Sequence, residues 1–183
     1  MISEILKNQT KELHDRVEQK FNSAKIFEEN YTPDDYSKLL TYNYLFLRSC
    51  EEPVFESLSE NFGELLALDK RRKIHLFDLE KEHLNTEKHS AGEICINSEA
   101  EALGIMYVME GSTLGGNMIA KKLEASDSFM GSKFPYFRCY GDRTGSMWKN
   151  FKSVLDEVIS EDDHGDVLKG AEKAYHFLLR LPD

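Results

Sequence analysis

The chain has 183 residues, enough for one domain with a full core. Hydrophobic residues make up 40% and charged residues 31%, an ordinary balance for a soluble globular protein, and the formal charge of −10 excludes a general nucleic-acid binder, which needs a basic face. Three cysteines, Cys50, Cys95 and Cys139, are odd in number and form no Cys-x-x-Cys, so reduced thiols in a cytoplasmic protein are expected rather than a disulfide framework or a zinc knuckle. The first residues lack the apolar stretch of a signal peptide. No apolar run approaches the roughly 18 residues of a membrane span, so no membrane anchor is expected.

The predicted elements are helical throughout. Residues 2–21 place Ile2, Leu6, Leu13 and Val17 at helical spacing, which predicts one first helix. Thr32-Pro33-Asp34-Asp35 is a helix start: a cap residue, a proline in the first turn, and acids at the positive end of the dipole. That helix runs through Tyr36, Leu39, Leu40, Asn43 and Leu47 and is expected to stop before Pro53, with a short amphipathic piece around Val54–Leu58. Residues 69–84 read as a further helix with Ile74, Phe77 and Leu84 inward, and the polar residues 85–97 read as loop. Ser98-Glu99-Ala100-Glu101 has the spacing of a capping box. Residues 126–143, rich in glycine, proline and aromatics, form an irregular connection. Thr144 opens a helix through Met147, Trp148, Phe151 and Leu155. After the acidic turn Glu161–Asp166 comes a last helix carrying Val167, Leu168, Ala171, Tyr175 and Leu178. No alternating strand or internal repeat appears, so the expected fold is all-α, one domain over residues 1–183.

Two features carry chemistry. The helix opened at Ser98 holds glycines at 111, 115 and 116, each costing about 1 kcal/mol in a helix interior. Gly111 and Gly115 share a face, a bare strip where something can approach closer than a Cβ allows. In the first helix, at 100° per residue, Leu6, Leu13 and Val17 fall about 80° to one side of His14, with Lys7, Glu18 and Lys11 about 20–60° to the other. His14 therefore borders an apolar strip and a charged strip, a suitable place for an axial ligand to a heme, with Glu18 one turn on as acceptor for the second imidazole nitrogen. On these residues alone two plainer readings stand beside this one: His14 as an ordinary surface histidine, and the glycines as a close helix–helix contact.

Leu6-Lys7-x-x-Thr10-Lys11-Glu12-x-His14-x-x-x-Glu18 resembles the proximal helix of heme oxygenases. Tyr107-Val108-Met109-Glu110-Gly111-Ser112-Thr113-Leu114-Gly115-Gly116 resembles their distal helix in its bacterial form. Tyr140-Gly141-x-x-Thr144-Gly145-x-Met147-Trp148-Lys149-x-Phe151 is similar to a later segment of the same bacterial branch, including members found alongside bacteriophytochromes. The three occur in the family's order and span most of the chain.

The resemblance implies an all-α fold with heme held between proximal and distal helices. It implies His14 as the iron ligand, a kinked distal helix crossing the other heme face at Gly111 and Gly115, and Ser112 and Gly116 in the distal site. Serine stands at 112 where many mammalian-type members carry aspartate. Thr10, Glu18 and Tyr107 would line the heme, and Lys7, Lys11 and Lys149 would meet its propionates. The implied reaction is cleavage of heme at a meso carbon to biliverdin, carbon monoxide and ferrous iron. It uses dioxygen and electrons from a ferredoxin or a flavin/NADPH reductase, and a bacteriophytochrome is a possible biliverdin acceptor. The run Asp69-Lys70-Arg71-Arg72-Lys73 reads either as a docking patch for an acidic electron donor or as a solvated helix start. A heme store or sensor on the same fold is one alternative. A di-iron oxidase built on Glu80-x-x-His83 and Glu161-x-x-His164 is another; His75, His89 and His176 show no metal-ligand spacing.

Overall fold

Helix α4, Glu99–Glu124, runs through the middle of the computed structural model, which describes residues 1–28, 30–86 and 92–182. Its residues 100–110 are buried on every side. Around it lie α1 (Ile2–Gln9), α2 (Lys11–Lys20), α3 (Pro33–Phe62), α5 (Thr144–Val158) and α6 (His164–Arg180). Helix α4 packs along α6 and against α3 and α5, while α2 lies on α6. The described residues contain no strand, in line with the all-α expectation.

The expected first helix is two. Thr10 breaks it, its backbone leaving helical geometry at ψ 3° while its hydroxyl donates to the Leu6 carbonyl at 2.8 Å. Ser3 ties α1 to α5 through Asp156, at 2.8 Å from the backbone amide and 2.6 Å from the hydroxyl.

Helix α3 starts as expected, on a complete capping box between Thr32 and Asp35. It does not stop at Pro53. An interior proline costs about 3 kcal/mol, but Pro53 sits on an exposed position while Val54, Phe55 and Leu58 are buried. Burying each of those side chains contributes about 1.5–3 kcal/mol, which outweighs the proline.

The expected helix over 69–84 is also replaced. Short 3₁₀ turns occupy Leu68–Lys70 and Ile74–His83, the latter broken at Glu80. Tertiary polar anchors override the helical pattern. The Glu51 carboxylate accepts from the Lys73 and Ile74 amides at 2.7 and 3.1 Å, and buried Glu80 takes the Tyr36 hydroxyl and the Tyr136 amide. Residues 85, 86 and 92–97 are irregular as expected, and His89 lies outside the described residues.

Ser98 caps α4 by accepting from the Glu101 amide at 3.2 Å, but the reciprocal half of the box is missing. The Glu101 side chain turns instead to the Asn97 amide and to Lys169 and Lys173 of α6. Burial would raise this carboxyl; the two lysines and the Asn97 amide outweigh it and hold it down at about 2. Helices α4 and α6 then cross backbone to backbone. A Cβ on Gly104 would lie 1.9 Å from the Val167 carbonyl oxygen, and one on Gly170 would lie 2.0 Å from the Glu101 carbonyl oxygen.

Gly104→Ala must therefore separate two backbones, and we expect it to lower stability in a denaturant melt by ~1–3 kcal/mol or more. Gly165→Ala, in open space on α6, should be neutral or stabilising. Glu101 also gives the fold an acid limit. Its carboxyl titrates lower folded than unfolded, so its contribution is complete above the ordinary glutamate range and is lost as pH falls from 4.5 toward about 2. Glu101→Gln should melt lower at neutral pH and lose less melting temperature across that acid window.

Candidate functional site

Because Thr10 breaks the first helix, α2 begins a new register, and its first full turn presents His14. The His14 side chain is 53% exposed. Its Nδ1 lies 3.8 Å from Asp15 Oδ1 and its Nε2 3.9 Å from Glu18 Oε1, both beyond hydrogen-bonding distance. The imidazole is thus flanked by two carboxylates, at ion-pair rather than close hydrogen-bond range. The ring meets Tyr175 of α6 edge-on, centroids 6.2 Å apart. Tyr175 is buried and hydrogen-bonded to Thr10; burial raises its phenol despite that bond.

On α4, Tyr107 heads a second group of side chains. The Tyr107 phenol is pushed up to about 12 by burial, with Tyr175 and Glu4 adding to the shift. The Tyr107 ring lies 5.2 Å from Trp148 of α5. Trp148 in turn covers Gly111: a Cβ there would stand 3.6 Å from the indole, an ordinary contact. Tyr175 thus stands against His14 and Thr10, and Trp148 against Tyr107 and Gly111; of the two, Tyr175 was placed by the sequence only among helix positions. Trp148 is the chain's single tryptophan and lies inside the third recognised segment, which was the available signal for it.

Beyond Gly111, α4 changes character. Its buried first half gives way to a stripe in which Leu114 is 39% and Met118 61% exposed. With Gly111 and Gly115 these occupy positions i, i+3, i+4 and i+7 of one face. A Cβ on Gly115 would meet nothing within 4 Å, so no packed helix accounts for this glycine. Gly116 is different: it is buried, and a Cβ there would press to 3.1 Å from the Phe137 ring. The Ser112 hydroxyl donates to the Met109 carbonyl of its own helix at 2.9 Å. Helix α4 runs as one assigned helix across all three glycines.

Lys7, Lys11 and Lys149 are exposed on three different helices, and the Lys11 ammonium is paired with Asp15. The run 69–73 divides: Asp69, Lys70 and Arg72 are exposed, as a solvated stretch is expected to be, whereas Arg71 and Lys73 are fully buried and paired with Glu110. The di-iron alternative is not favoured. Among the described residues the sole cluster of potential metal-ligating side chains is His14, Asp15 and Glu18, and Glu80 is consumed by Tyr36 and Tyr136.

These residues suit a heme. A ligand-capable imidazole stands in reach of solvent, an apolar stripe with open space over Gly115 lies exposed, and cations sit at the surface. Comparison with known proteins points the same way. The family model described as heme oxygenase matches residues 55–181. A heme oxygenase of Xanthomonas campestris pv. campestris is 27% identical over 146 residues, 79% of this chain and 87% of the relative. The heme oxygenase PigA of Pseudomonas aeruginosa is 31% identical over 175 residues, 91% of this chain and 84% of the relative. The chain belongs to the heme oxygenase family.

Proposed function

We propose that this protein is an enzyme that degrades heme, cleaving it at a meso carbon to biliverdin, carbon monoxide and ferrous iron. The observation that carries the reading is an accessible His14 on α2, set edge-on to Tyr175, together with the bare α4 face of Gly111 and Gly115 bordered by Trp148 at Gly111, in a chain of this family. Heme supplies the oxygen chemistry and is itself the substrate.

The chain's residues divide the remaining work. His14 holds the iron through one imidazole nitrogen, and Glu18 or Asp15 accepts from the other, which fixes the ring and raises its basicity. Thr10 and Tyr175 support α2 behind it. On the distal side Gly111 and Gly115 would leave room for dioxygen and present no side chain toward the iron. Tyr107 and Trp148 wall that space. Ser112 and Gly116 shape it from α4 itself, Gly116 by letting Phe137 approach. Lys7, Lys11 and Lys149 supply local positive charge for the propionates of an otherwise acidic protein. Electrons come from an external ferredoxin or flavin/NADPH reductase, and a bacteriophytochrome is a suitable acceptor of the product. A cytoplasmic setting accords with Cys50, Cys95 and Cys139 as free thiols.

Aerobic incubation of the heme complex with a reductant, followed by product chromatography, tests the reaction. Biliverdin is the expected product, and heme that survives unchanged would make the protein a store. His14→Ala should lose the histidine-ligated spectrum and regain it with added imidazole; an unaltered spectrum removes His14 from the site. Gly115→Leu should fold at least as stably as the parent, since leucine gains up to about 1 kcal/mol of helix propensity and meets no neighbour. It should still bind heme through His14 but lose most of its biliverdin yield. Full activity in that variant contradicts the distal assignment.

A further inference from the structure

Glu110 immediately precedes the bare strip at Gly111 and is fully buried. Three donors converge on its carboxylate: Arg71, Lys73 at 2.6 Å, and the Tyr140 hydroxyl at 2.9 Å. Burial alone would lower the Lys73 ammonium, but the charge of Glu110 and the neighbouring Tyr140 more than reverse this, so Lys73 stays charged. Glu51, also buried, accepts from the Lys73 and Ile74 backbone amides.

Arg71 does more than pair. Its Nε donates to the Leu66 carbonyl at 2.6 Å, and its Nη2 donates to the Met147 carbonyl at 3.2 Å and to Asn150 Oδ1 at 2.9 Å. Met147 and Asn150 bracket Trp148, whose ring stands over Gly111. One guanidinium therefore joins α4 at Glu110 to α5 on both sides of Trp148. A buried ion pair is a weak source of stability, because desolvation consumes most of the Coulomb gain. A planar fork with five donors is a strong source of geometry, and a lysine cannot reproduce it.

We propose that Arg71 is a positioning residue for the heme site: through Glu110 and the Met147–Asn150 turn it sets the separation of Trp148 from Gly111, the gap that borders the bound substrate. The proposal rests on the function proposed above. Its test begins on the heme-free protein, so that the two can fail separately.

Trp148 is the only tryptophan, so its fluorescence reports the surroundings of this one ring, which Tyr107, Phe151 and Lys152 share with Gly111. Arg71→Lys keeps the charge and loses the fork. It should red-shift Trp148 emission and raise its quenching by acrylamide, retain the histidine-ligated heme spectrum, and lower biliverdin formation roughly tenfold. Asn150→Ala removes one arm of the fork at an exposed position, where folding is safe, and should move the same readouts the same way by less. If Arg71→Lys does not fold, Asn150→Ala decides alone. Unchanged Trp148 emission with a lowered melting temperature would make the cluster a structural fastening and overturn the proposal, as would shifted emission with unaltered turnover. A parent protein that binds heme but forms no biliverdin would overturn the functional reading, leaving the fluorescence of the variants to judge the positioning role.

Discussion

The crossing of α4 over α6 is the constraint on which the site depends. At Gly104 and Gly170 the two backbones meet with no room for a Cβ on either side. Tyr107 lies one turn beyond Gly104 on α4, and Tyr175 follows Gly170 on α6, so both buried phenols lie just past the crossing on their own helices. Tyr175 meets Thr10 and His14 of α2, so α6 carries the His14 helix on one hand and, through the crossing, α4 on the other. A wider crossing would separate the residue proposed to hold iron from the surface proposed to receive oxygen. Lys169 and Lys173 of α6, closing on buried Glu101, fasten the same crossing with charge.

Packing and polarity divide the labour along α4. Its first half is wrapped in apolar side chains and gains its stability from burial. At Glu110 the environment becomes ionic, with two cations and a phenol drawn inside. One residue later the helix opens to a glycine face with exposed Leu114 and Met118. The order is physically sensible. A helix that must present bare backbone cannot be held there by its own side chains, so it is held one residue before, by hydrogen bonds whose directions are fixed. Such bonds cost stability that the flanking core can supply, and they define position better than apolar contact does.

Much of this was legible in the sequence where local chemistry decides. The caps at Thr32 and Ser98, the start of α5 near Thr144 and the acidic turn before α6 are short-range signals, and the folded chain places its helices accordingly. The glycine face was legible because interior glycines are costly and must be explained. What failed was decided at long range. Pro53 reads as a stop until the burial of Val54, Phe55 and Leu58 is known. Thr10 reads as an ordinary helix residue until its hydroxyl is seen on the Leu6 carbonyl and against Tyr175. Arg71 and Lys73 read as surface charge because nothing local announces that Glu110, far along the chain, will receive them. Trp148 and Tyr175 were assigned to helices but not to the site, since only the crossing of α4 and α6 brings them there.

The central claim is that one heme lies between α2 and α4. A crystal structure of the one-to-one heme complex tests it most directly. Iron is expected on an imidazole nitrogen of His14, with the porphyrin against Gly111 and Gly115 and Trp148 at its edge. A heme ligated elsewhere, or seated on a face that leaves Gly115 exposed to solvent, would contradict it.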